Sequence, residues 1–126
     1  MLEKFHHRLK DGGRLLSYAY SLKGFEEGME ASLNEHMQLY GFLSSSNYCG
    51  FINTFKYEGE KVILDKYTII EETTSKVIYN WLQYFNKDAL TNELKETGFK
   101  IHAIYGDVAG SNYSENKTEF AVITDK

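Results

Sequence analysis

The sequence has no proline, a single cysteine and fewer basic than acidic residues, and it contains no long apolar run. Each shortage excludes something. Average usage of about 5% would give roughly six prolines in a chain of this length, so turns must be built from Gly, Asn, Asp and Ser. With Cys49 alone, no intrachain disulfide can form and the core must stand without a covalent staple. No stretch approaches the roughly 20 apolar residues needed to cross a bilayer, and the opening Met-Leu-Glu-Lys-Phe-His-His lacks the apolar centre of a secretory signal. A soluble, cytoplasmic protein is therefore expected. Lys and Arg number 14 against 18 Asp and Glu, a net charge of −4. That balance offers no broad basic surface, so neither nucleic acid nor a membrane is expected as a partner. What is present is 126 residues, 42% hydrophobic and 15% aromatic, enough for one compact domain or a fragment of one.

Leu2, Phe5 and Leu9 recur at helical spacing, and Asp11-Gly12-Gly13 follows as a stop, predicting a first helix ending near Lys10. Residues 14–20 form a short apolar run bounded by glycines and Ser21, as a buried strand would be. Phe25, Met29, Leu33, Met37 and Tyr40 suggest a broken helix or helix pair over 22–46, interrupted by Gly24, Gly28 and Gly41. Three extended runs follow at 48–57, 61–71 and 76–84, predicting an antiparallel meander, with 47–84 as a β insertion in the chain. Asn86 is an N-cap for a helix over 87–97 whose buried stripe is Ala89, Leu90 and Leu94 and whose left-handed terminator is Gly98. Residues 99–105 and 118–124 read as two strands of an antiparallel hairpin, joined by the turn-rich loop 106–116.

The order of these signals carries more information than any one of them. Leu9-Lys10-Asp11-Gly12-Gly13 before a buried strand, then Asn86, Leu90, Leu94 and Thr97-Gly98-Phe99, then Tyr105-Gly106-Asp107 and a final strand, resembles the carboxy-terminal part of a class I S-adenosylmethionine-dependent methyltransferase of the small-molecule type. Asp11 stands where that family usually has proline, and Thr97 where it usually has alanine. The motifs cover residues 1–21 and 84–126, whereas 47–83 shares only the habit of an antiparallel insertion. The resemblance implies that 14–20, 99–105 and 118–124 are the fifth, sixth and antiparallel seventh strands of a Rossmann-like α/β sheet, three strands with flanking helices. It also implies that S-adenosylmethionine is the cofactor of the full-length enzyme and a small molecule the methyl acceptor. The Gly-rich turn that would hold the cofactor after a first strand is missing: no Gly-x-Gly-x-x-Gly occurs anywhere. No cofactor residue is therefore assigned, and the chain alone is expected to be inactive.

Methyl transfer from a sulfonium is an in-line displacement that depends on alignment, so no universal catalytic residue can be named. Tyr18 and Tyr20 fall at the carboxyl end of the 14–20 strand, where open α/β sheets place ligands, and are substrate-lining candidates. The aromatic residues Tyr48, Tyr57, Tyr67, Tyr79, Trp81 and Tyr84 would suit a lid over the substrate, Tyr84 being the one assigned to the site, although cross-strand packing is their commoner role. Asp107, at a strand-to-loop junction, is a candidate base or orienter, whereas an Asp in a turn more often caps its own backbone. His6 and His7 point about 100° apart on a helix and cannot chelate one ion, so no metal is expected. Cys49 reads as a buried small hydrophobe. The Asn-x-Ser/Thr patterns at Asn112 and Asn116 carry no meaning without a secretory signal. An exposed edge on the 14–20 strand is expected to drive homo-oligomerisation. A stand-alone small-ligand-binding α+β module, in which the meander and the 22–46 helices enclose a ligand, is the alternative.

Overall fold

The computed structural model describes all residues from Met1 to Lys126. Its elements run in the order α1 (Leu2–Arg8), β1 (Arg14–Ser21), α2 (Leu22–Glu27), β2 (Ala31–His36), a 3₁₀ turn (Gln38–Gly41), β3 (Tyr48–Tyr57), β4 (Val62–Glu71), β5 (Ser75–Phe85), α3 (Lys87–Glu96), β6 (Lys100–Tyr105) and β7 (Glu119–Asp125). They divide between two compact units, Met1–Glu27 with Tyr84–Lys126, and Gly28–Gln83.

In the first unit β7, last in sequence, lies between β1 and β6 and runs antiparallel to both. Its register with β1 is unbroken from Arg14↔Asp125 to Tyr20↔Glu119, and with β6 it is interrupted by a bulge between Ile101 and Ala103. On its other side β1 pairs parallel with the end of β5, at Tyr20↔Tyr84 and Ser21↔Phe85. The hairpin expected from 99–105 and 118–124 is present. Because side chains alternate along strands, one face of this sheet collects Ala19, Phe120 and Val122, which pack with Leu90, Leu94 and Phe99 into the core, flanked by Leu2, Leu9 and Leu15.

Local chemistry explains the helix ends. The Asn86 side chain accepts from the backbone N–H of Ala89 at 2.6 Å, while Gly98 (φ +96°) lets Phe99 N–H reach the Leu94 carbonyl and Gly98 N–H the Lys95 carbonyl, a Schellman closure. The buried stripe differs from expectation by one residue: Thr91 is buried with Leu90 and Leu94, and Ala89 is exposed. Helix α1 stops at Arg8, short of Lys10, because the chain has already turned toward β1. A Cβ on Gly13 would lie 2.8 Å from the Lys10 carbonyl oxygen, so that turn requires glycine.

In the second unit β3, β4 and β5 form the expected antiparallel meander, in register from Tyr48↔Glu71 and Val62↔Gln83. The broken helix or helix pair over 22–46 is not what forms. Only Leu22–Glu27 is helical, and Ala31–His36 becomes a fourth strand, paired antiparallel with β3 from Ala31↔Thr54 to His36↔Cys49. Every residue of β2 is exposed. A strand with no buried face imprints no alternation on its sequence, so the chance i, i+4 spacing of Met29, Leu33 and Met37 imitates a helix. Of the 22–46 helices expected to enclose a ligand beside the meander, only α2 forms, and a strand and a 3₁₀ turn follow it. Cys49 is half-buried rather than buried, directly across the ladder from His36.

Candidate functional site

The first unit presents a concentration of polar aromatic side chains at the carboxyl end of β1. Tyr18 and Tyr20, two residues apart, project from the face opposite the core, and their rings meet edge to face at 5.7 Å. Tyr84, brought alongside by the parallel pairing with β5, lies 5.5 Å from Tyr20 and 5.6 Å from Phe25 of α2. Three of the residues singled out from sequence, Tyr18, Tyr20 and Tyr84, therefore form one continuous row.

Glu119 completes the group. The register sets it opposite Tyr20, and its carboxylate accepts a hydrogen bond from the Tyr18 hydroxyl. That bond, with partial desolvation and the negative charge of Glu119, pushes the Tyr18 pKa up to about 12, because a proton donated to a carboxylate is hard to remove. Tyr18 at neutral pH is a donor and not a base. Sequence reasoning missed Glu119 and Phe25. Glu119 becomes visible only once the β1–β7 register is known, and the approach of Phe25 to Tyr84 only once β1 and β5 are known to pair.

Asp107 belongs to a separate arrangement. Its Oδ1 accepts from the backbone N–H groups of Ala109 and Ser111 at 3.0 and 3.1 Å, and its Oδ2 from the Ser111 hydroxyl, with the Lys117 ammonium 3.4 Å away. Led by the Ser111 bonds, these partners lower its pKa to about 2. A carboxylate so firmly ionised is a poor proton acceptor at neutral pH, and its contacts are those of a loop organiser. The aromatic residues of β3 and β5 divide: Tyr48 is buried, Tyr57 and Trp81 meet at 5.7 Å on an exposed face, and Tyr79 is exposed.

Within the same unit a cavity of about 430 Å³ opens between the starts of α2 and α3, lined by Ser21, Lys23, Phe85, Lys87, Tyr113 and Phe120 among others. Both parallel strand-to-helix junctions lie here, the places where a Rossmann-like sheet would cradle a nucleotide. Neither fits S-adenosylmethionine as a Gly-rich turn would. At the first, Ser21 Oγ accepts from Gly24 N–H, and a Cβ on Gly24 would already be 2.6 Å from the Thr118 carbonyl oxygen. At the second, Asn86 occupies the helix start with its own side chain. At each helix start one N–H, that of Gly24 and that of Ala89, is spent on a local cap.

No protein-family model and no curated protein matches the sequence. Solved structures do. A methyltransferase, CcbJ, from Streptomyces caelestis superimposes with a TM-score of 0.66 at 9% identity, covering 98% of this chain and 47% of its own. An S-adenosylmethionine-dependent methyltransferase from Clostridium acetobutylicum superimposes with a TM-score of 0.70 at 8% identity, covering 98% and 48%. The chain spans about half the length of these structures. Its architecture, a mixed α/β arrangement whose last strand is inserted antiparallel beside β1, is the fold of one part, just under half, of an S-adenosylmethionine-dependent methyltransferase.

Proposed function

We propose that this chain is the substrate-side, carboxy-terminal part of an S-adenosylmethionine-dependent methyltransferase acting on a small molecule, and that the 126 residues alone do not transfer methyl groups. The observation that carries the reading is the strand order β5-β1-β7-β6 with β7 antiparallel, in a chain that two methyltransferase structures accommodate over 98% of its length. In the complete enzyme S-adenosylmethionine supplies the methyl group. The residues here contribute a surface for the acceptor, with Tyr18, Tyr20 and Tyr84 as its lining and Asp107 fixing the loop after β6. Calorimetric titration with S-adenosylmethionine and its demethylated product is expected to show no saturable heat. Saturable binding would mean that a cofactor site exists without a Gly-rich turn, and the reading would fall. A reading frame encoding a Gly-rich strand–turn–helix upstream of Met1 would support it.

The reading extends to assembly. Strand β1 is paired with β7 from Arg14 to Tyr20 but with β5 only at Tyr20 and Ser21, which leaves the stretch from Arg14 to Ala19 with one edge unladdered. Such an edge invites a further strand, and we assign to it association with another copy of the chain. Sedimentation equilibrium is expected to give a mass above 14.6 kDa, and a monodisperse monomer would remove the proposal. No helix is long and apolar enough to cross a membrane, and the place of action we propose is the cytoplasm.

A further inference from the structure

The uncovered face of β1 is not uniform. At its amino-terminal end the face carries Leu16, 53% exposed, opposite Ile123, an apolar pair suited to being covered by other protein. At its carboxyl end it carries Tyr18 and Tyr20, 45% and 40% exposed, and in their midst the half-buried Glu119. A surface meant for apolar cover would not hold a carboxylate at its centre, because burying an unpaired charge is costly. Glu119 takes part in none of the chain's ion pairs. Its partner is the neutral Tyr18 hydroxyl, which orients the carboxylate but leaves its charge uncompensated.

Faces of tyrosine rings attract cations through their quadrupole, and a carboxylate attracts them through its charge. Two rings within 5.7 Å of one another, standing beside an uncompensated carboxylate, are a receptor for a small organic cation. The groups of the same face that would oppose such a guest are at the other end of the strand: Arg14 is four residues before Tyr18 and is itself bonded to Asp125 at 2.8 Å. We infer that Tyr18, Tyr20 and Glu119 form a half-cage for an alkylammonium group, so that the acceptor taken by this surface is a molecule bearing such a cationic group, held here by its charge. The inference deepens the methyl-acceptor reading of the tyrosine row and rests on it, yet the cage is testable without any cofactor.

The probe is choline, set against its uncharged analogue in which a quaternary carbon replaces the nitrogen, with binding followed by tyrosine fluorescence and by NMR shifts on the 126-residue chain. Choline is expected to bind about tenfold more tightly than the neutral analogue. Glu119→Gln, which keeps shape and removes charge, is expected to erase that preference, and Tyr20→Leu to weaken choline without affecting the analogue. Both variants alter exposed or half-exposed positions, and unchanged circular dichroism verifies the fold. Equal binding of the two probes, or a preference that survives Glu119→Gln, overturns the cage whatever the calorimetry with S-adenosylmethionine shows. A charge-dependent preference together with saturable S-adenosylmethionine binding keeps the cage and discards the fragment reading instead.

Discussion

At the scale of single residues Tyr18 and Asp107, the two most strongly perturbed groups of the first unit, make opposite demands on pH. Tyr18 is held protonated by Glu119, and its pKa rises from 10 to about 12. A raised pKa means that the folded state binds this proton more tightly than the unfolded chain does. The associated stability is complete below pH 10 and drains away as the pH climbs from 10 toward 12. Spectrophotometric titration is expected to find one tyrosine ionising last, and Glu119→Gln to return it toward the ordinary value. Asp107 is the mirror case. Its pKa falls from 3.8 to about 2, so its contribution is intact above pH 4 and disappears as the pH drops toward 2. Asp107→Asn is expected to lower stability at neutral pH and to flatten the acid limb of the unfolding curve between those values, as followed by circular dichroism. If instead the variant keeps wild-type acid sensitivity, the Ser111 and Lys117 contacts are not what holds the loop.

Among the elements, α3 was the one most fully legible in the sequence, and the reason is local: its start, stop and inward stripe are each set by residues within a turn of where they act. Asn86→Ala removes the acceptor for Ala89 N–H and is expected to cost about 1 kcal/mol, with Asn86→Asp or Asn86→Ser retaining most of it in denaturant titrations. Leu94→Ala, at a fully buried position, is expected to cost about 2–5 kcal/mol. The positions of β3, β4, β6 and β7 were equally readable from their apolar runs and bounding turns. What escaped was whatever depends on partners distant in sequence. β2 exists because β3 offers it a ladder, and none of its six residues is buried to betray that. The Tyr18–Glu119 bond joins residues 101 apart. Tyr18, Tyr20 and Tyr84 could be marked individually as strand-end aromatics, but only the parallel pairing of Tyr20 with Tyr84 makes them a row.

For the molecule as a whole, the division into two units has an experimental consequence. The core cluster of Ala19, Leu90, Leu94, Phe99, Phe120 and Val122 lies entirely in the first unit, and the contact between Phe25 and Tyr84 shows how closely that unit's two segments approach. Replacing Gly28–Gln83 by a short Gly/Ser linker is expected to leave this core assembled, since closing such a gap costs little chain entropy. The readout is hydrogen exchange, with slow amides retained at Leu94 and Val122. Loss of that protection would mean that Gly28–Gln83 is required for the first unit to fold.

The central position of β7 also governs how the chain is made. Arg14 and Asp125, joined by an ion pair, are separated by 111 residues. Most of β1 and all of β6 find their hydrogen-bonding neighbour only in the segment translated after them. While the ribosome is still adding residues, the meander can close on itself through its hairpins, but β1 must wait with both edges open along most of its length. Non-local pairing of this kind folds slowly and exposes strand edges while it does so. The nascent chain should therefore engage holdase chaperones until Glu119–Asp125 emerges from the exit tunnel, and release them once that strand enters the sheet.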